Sequence, residues 1–147
     1  MNHMFWSCAN LTMLNLRSFN TSNVTNMASM FDHCSSLSIL DLSSFDTSNV
    51  TAMSFMFWHC TSLTTLNISS FDTSNVMNMY AMLNDCTSLT TLDLSSFDTS
   101  GVTDLSGMFQ YCSGLTICYG RTQEDCNKLN SSQNKPSNVN FVVKPAA

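Results

Sequence analysis

The chain is poor in charge, glycine and proline. Only 10% of its 147 residues are Asp, Glu, Lys or Arg, and it has four Gly and two Pro. Globular domains usually carry about 25% charged residues. So few Gly and Pro exclude a collagen-like chain or a Pro/Gly-rich linker, and 44% apolar content argues against intrinsic disorder. No apolar run approaches the ~20 residues of a bilayer-spanning helix. Basic residues are scarcest where most of the sequence lies. Residues 1–117 hold eight Asp and one cation, Arg17, whereas 118–147 hold four cations against Glu124 and Asp125, within a net charge of −5. Such a surface repels phosphate backbones and anionic lipid, so neither nucleic acid binding nor membrane insertion is expected. Met1–Trp6 also lacks the basic and apolar regions of a secretion signal, which leaves a cytoplasmic protein or a segment cut from a longer one.

What fills the chain is Ser, Thr and Asn, together with 11 Met, 10 Phe and 7 Cys. The surplus has one cause, a repeat of period 26. Cys8, Cys34, Cys60, Cys86 and Cys112 are spaced by it, as are Met4, Met30, Met56, Met82 and Met108, and Phe19, Phe45, Phe71 and Phe97. Copies run 4–29, 30–55, 56–81 and 82–107, and a fifth fades near Ile117. Each has two patterns. Leu37-Ser38-Ile39-Leu40-Asp41-Leu42 alternates as a short strand does, and the apolar spacing of Val50, Met53, Phe57 and Cys60 is close to a helical face. Between them Phe45-Asp46-Thr47-Ser48-Asn49 offers turn and cap side chains. One strand, one turn and one short helix cannot bury an apolar face alone, so copies must stack. The expected fold is an α/β repeat solenoid, right-handed, with one parallel β-sheet on one face and short helices opposite.

The unit Leu-x-x-Leu-Asp-Leu-Ser-Ser-Phe-Asp-Thr-Ser-Asn-Val-x-x-Met-x-x-Met-Phe-x-x-Cys resembles the leucine-rich repeat of bacterial surface proteins and lipoproteins, the BspA-like family. Ser35-Ser36-Leu37 and Asp46-Thr47-Ser48-Asn49-Val50 carry most of the likeness, which covers residues 1 to about 117. Asn20, Gly101 and Leu83 are small departures. The resemblance implies a leucine-rich repeat solenoid that is extracellular or displayed on a cell surface, used for adhesion or protein binding, with no catalytic residues.

The expected division is an array over 1–117 and a C-terminal cap over 118–147. Thr122 reads as the N-cap of a helix with Glu124 and Asp125 in its first turn, and Asn138–Val143 as a closing strand. Met1 falls in the middle of a copy, so further copies and an export signal are expected upstream. The five cysteines of the column are expected as small buried residues, on elements roughly 8–10 Å apart and too far to bridge. Cys118 and Cys126, eight apart in the cap, are open to a disulfide or to two free thiols. The same wide spacing argues against a metal on His33, His59 and Asp85. Asp41 and Asp93 are expected at about 10 Å from each other on the sheet face, slightly beyond the ~6.5–9.5 Å carboxylate gap of an inverting glycosidase. No catalytic motif and no cofactor are expected.

Columns that differ between copies are those the fold leaves free. They put Trp6, His33, Trp58, His59, Tyr80 and Tyr111 at nominally exposed positions, against the alternative that Trp6 and Trp58 shield a helix edge or contact a neighbouring copy. A second candidate surface is the sheet-face stripe Asn15, Asp41, Asn67 and Asp93. The reading is a non-enzymatic interaction or adhesion module whose partner is a protein on a host or neighbouring cell. The alternatives are a structural spacer or a glycan-binding solenoid.

Overall fold

A computed structural model describes residues 1–146. Its elements are β1 (Ile39–Asp41), β2 (Thr65–Asn67), β3 (Thr91–Leu94), β4 (Ile117–Gly120), α1 (Gln123–Asn130) and β5 (Phe141–Val143). β1 and β2 form one parallel pair, with Leu40 opposite Leu66, and β3, β4 and β5 form a separate parallel sheet in that order. Ile39 pairs with Thr65 and Thr91 with Ile117, so within each pair of copies the same repeat column faces itself.

This overturns the α/β repeat solenoid. The parallel strands are split between two small sheets rather than joined in one, and the only helix among the described residues is the eight-residue α1, outside the repeats. The segments read as short helices, such as Asn49–Cys60, contain none.

The physical reason lies in where the backbone amides go. Met53, Phe55, Phe57 and His59 donate to the carbonyls of Asn78, Tyr80, Met82 and Asn84 in the following copy, at 2.9–3.0 Å. Between them Met56, Trp58 and Cys60 donate three residues back, to Met53, Phe55 and Phe57, at 3.1–3.3 Å. Every second amide therefore leaves the segment, whereas an α-helix keeps its amides for bonds four residues back. The backbone is incompatible with a helix as well. Phe55 and His59, third in their turns, have φ of 60° and 58°, and Ala81 and Asp85, one copy on, have 52° and 64°. Left-handed backbone costs an L-residue about 1–2 kcal/mol, and no helix tolerates it twice in so short a run. Overlapping β-turns share the i, i+3 apolar spacing of a helix, which is why the sequence pattern misleads.

The copies are thus one backbone hydrogen bond apart, much nearer than packed helices stand. Buried Thr side chains reinforce the link. Thr47 Oγ1 donates to the Asp72 carbonyl at 2.9 Å and accepts from the Asp72 amide at 2.8 Å, and Thr21 does the same with Asp46. Inside, Phe5, Phe31 and Phe57 stack with centroids 5.5 and 5.8 Å apart, until Leu83 interrupts them. Cys60 and Cys86 Sγ donate to carbonyls of Phe31 and Phe57 at 3.2 Å.

At the C-terminal end a carboxylate replaces the backbone partner. Thr99 donates from both its amide and its hydroxyl to Asp125 Oδ1, at 2.9 and 2.7 Å, while Arg121 and Thr122 hold Oδ2. Thr122 is also the N-cap of α1, accepting from the Asp125 amide. Asp125 is 3% exposed, and burial raises its pKa, but the hydrogen bonds from Thr122, Thr99 and Arg121 outweigh this and hold it far below the ordinary carboxylate value.

A carboxyl whose pKa is lowered by folding contributes stability above its unfolded pKa of ~3.9 and loses that contribution as pH falls through the folded value. Asp125→Asn is expected to cost about 1.5–3 kcal/mol at pH 7 in urea unfolding. It should also flatten the loss of stability below about pH 4 relative to the wild type. An unchanged acid slope would contradict this role.

Candidate functional site

The alternation that builds each copy also sorts its side chains. In the turn run, positions 31, 57, 83 and 109 point into the core and are fully buried. The next two positions, 58–59, 84–85 and 110–111, face a groove of about 520 Å³, together with the left-handed column at Phe55 and Ala81. Phe55 contacts two of the other rings, with its centroid 5.4 Å from Trp58 and 5.0 Å, edge-on, from Tyr80. Tyr80 and Tyr111 are 40% and 62% exposed. Asn84, Gln110 and Asp85 also line the groove, with Asn84 Nδ2 donating to Gln110 Oε1 at 3.2 Å.

His59 Nδ1 lies 2.6 Å from Asp85 Oδ2, so that ring nitrogen carries the hydrogen. Oδ1 of Asp85 has no hydrogen-bond partner among the described residues. The four other Asp residues with a Lys or Arg partner there face Arg17 (Asp41), Arg121 (Asp98 and Asp125) or Lys144 (Asp93), whereas Asp85 faces only His59. Asp32 likewise faces only a histidine, His33, but it is 5% exposed and does not line the groove.

Of the residues singled out in the sequence, the structure brings Trp58, His59, Tyr80 and Tyr111 together. His33 adjoins them, with its ring 4.8 Å from His59 and edge-on to Trp58 at 5.0 Å, and its Nδ1 on Asp32. The wide separation expected for the histidine column is therefore wrong. The reason is the backbone link His33 N–H to Trp58 O, 2.8 Å, which binds the copies directly. Among the described residues no three His, Cys, Asp or Glu side chains are arranged to hold a metal ion. Trp6 stands apart, 56% exposed and edge-on to His3 at 6.3 Å, with no part in the groove.

The stripe Asn15, Asp41, Asn67 and Asp93 is occupied by structural work. Each accepts from the amide two residues on, that of Arg17, Ser43, Ser69 or Ser95, at 3.0–3.3 Å, closing a turn. Asn67 Nδ2 donates to Asp41 Oδ1 at 3.0 Å, Arg17 reaches Asp41, and Lys144 of the tail lies on Asp93. The hydrogen bonds from Ser43, with Arg17 adding to them, lower the Asp41 pKa. Partial burial raises that of Asp93, but Lys144 and Ser95 bring it below the ordinary value.

The cysteines are all free thiols, Cys118 and Cys126 included, and only Cys8 is exposed. Burial pushes Cys34 and Cys118 up to about 11 and Cys112 to about 12, and raises Cys60, Cys86 and Cys126 too.

The left-handed columns were not legible in the sequence. Their one signal is Gly107, at φ 65°, in the column of Ser29, Phe55 and Ala81. The buried role of the Thr column was also missed, because Thr in a polar turn reads as solvent-facing.

A family model described as Mycoplasma protein of unknown function, DUF285, matches residues 1–67 and 41–134. The chain belongs to this family. No curated protein and no solved structure matches it. No helix of the described residues is long and apolar enough to cross a membrane.

Thiolate is the reactive form of cysteine, so raised pKa and burial protect six of the seven thiols. Iodoacetamide at pH 8 is expected to modify Cys8 alone in the native chain. Without reductant, all seven should react in denaturant. A count of five would mean that Cys118 and Cys126 are bridged.

Proposed function

We propose that the chain is a non-enzymatic interaction module of an extracellular or cell-surface protein, binding a protein on a host or neighbouring cell. The BspA-like character of the repeat, with its Asp-Thr-Ser-Asn-Val turn, supports the surface assignment. The observation that carries the binding role is the groove. It gathers Phe55, Trp58, Tyr80 and Tyr111 at columns whose identity changes from copy to copy, while the columns that build the core stay nearly constant. Solvation alone gives no reason to group four aromatic rings on an open surface, and rings so placed are frequent anchors of protein interfaces. A structural spacer would have no use for them. The stripe from Asn15 to Asp93 is the weaker candidate surface, since turn closure and ion pairs already engage it.

The test is retention of host-cell surface proteins and of glycans on arrays by the wild type, Trp58→Ala and Trp6→Ala. Trp58→Ala is expected to weaken binding by about 30-fold or more, as loss of a hot-spot aromatic does. Its thermal midpoint should move by no more than a few degrees. Trp6→Ala should bind as the wild type does. Binding that survives Trp58→Ala, or an absence of any ligand on both arrays, would contradict the proposal, the latter in favour of a spacer.

A further inference from the structure

We propose that the occupant of the groove is the guanidinium of an arginine side chain, presented by a basic segment of the partner. This rests on the reading of the groove as a protein-binding site and names what it recognises. Three observations converge. The aromatic wall of Phe55, Trp58 and Tyr80 has ring centroids 5.4 and 5.0 Å apart, and the ring faces it presents attract a cation through the ring quadrupole. Beside it stands Asp85, whose Oδ2 is engaged by His59 and whose Oδ1 is free to accept. Finally, the repeats as a whole carry eight Asp against one cation, Arg17, which is tied to Asp41. The chain thus keeps its own Lys and Arg away from the groove while setting a negative field around it, which speeds the approach of a cationic partner.

Guanidinium fits better than ammonium. It is planar and stacks on aromatic rings, and its several N–H groups can donate to the Asp85 carboxylate in the same groove. Ammonium is a compact, strongly hydrated charge and gains less from an aromatic ring face. At about 520 Å³ the groove has room for the side chain and part of the segment bearing it.

Asp85 suits mutation because its backbone is left-handed, at φ 64°, a conformation that Asn adopts as readily as Asp. Asp85→Asn removes the charge and keeps the turn. The probe is a fluorescein-labelled hexapeptide of alternating arginine and serine, read by anisotropy, beside the same peptide with citrulline or lysine in place of arginine. The arginine peptide is expected to bind saturably and the lysine peptide more weakly. Citrulline should lose tenfold or more, since it keeps the shape without the charge. Asp85→Asn should also lose about tenfold. Asp46→Asn, outside the groove, should leave binding unchanged, and added salt should weaken it. Equal binding of the citrulline peptide, wild-type affinity in Asp85→Asn, or no saturable binding would each overturn the proposal. A cell-surface protein or glycan that needs Trp58, yet binds Asp85→Asn as it binds the wild type and resists displacement by the arginine peptide, would overturn the guanidinium and leave the binding module standing. If nothing captured depends on Trp58, the module falls as well.

Discussion

Everything in the repeats depends on one hydrogen bond made again and again, from the amide of one copy to the carbonyl of the residue 25 positions further on. Phe57 N–H to Met82 O, at 2.9 Å, is representative. Buried backbone must be paired, and a unit this short has two ways to do so: keep its amides in local elements or give them to its neighbour. This chain divides them, one to a turn and the next to the following copy. The division sets the distance between copies, and that distance brings the other features about. Phe rings stack at 5.5–5.8 Å, Cys thiols reach carbonyls of the preceding copy, and a Thr hydroxyl grips an amide and a carbonyl of the next. The C-terminal end obeys the same constraint. Thr99 finds no further repeat turn, and the carboxylate of Asp125 supplies the acceptor.

The aromatic groove is a by-product of the same geometry. Two left-handed residues per copy let the chain turn twice in quick succession, sending one side chain inward and the next two out. These positions pack less fully than the inward ones, so they are freer to differ. Phe55 and Trp58, then Tyr80, then Tyr111 come from three successive turn runs and line one groove because the runs are so close. At the wider spacing of packed helices, His33 and His59 would not stand 4.8 Å apart.

How much of this is legible in the sequence depends on the range of the interaction. The period and the inward columns of Leu, Met, Phe and Cys are plain, since burial repeats with each copy. The N-cap of α1 at Thr122 is local and readable too. Helix and turn run are not separable by apolar spacing, because Val50, Met53, Phe57 and Cys60 serve either, and what decides is a bond to a residue 25 positions away. Gly107 alone hints at left-handed backbone, and Phe55, Ala81 and His59 adopt it without glycine's help. For the site, copy-to-copy variation finds Trp58, His59, Tyr80 and Tyr111 but also yields Trp6, which stays outside. Alternation along the strand picks out the stripe from Asn15 to Asp93 but does not reveal that its side chains close turns.

The most direct test is detection of scalar couplings across hydrogen bonds by NMR in isotope-labelled protein. Correlations from the amide nitrogens of Phe55, Phe57 and His59 to the carbonyl carbons of Tyr80, Met82 and Asn84 are the expected result if each copy gives its amides to the next. Correlations from those amides to carbonyls four residues earlier in the chain would restore the helix and contradict it.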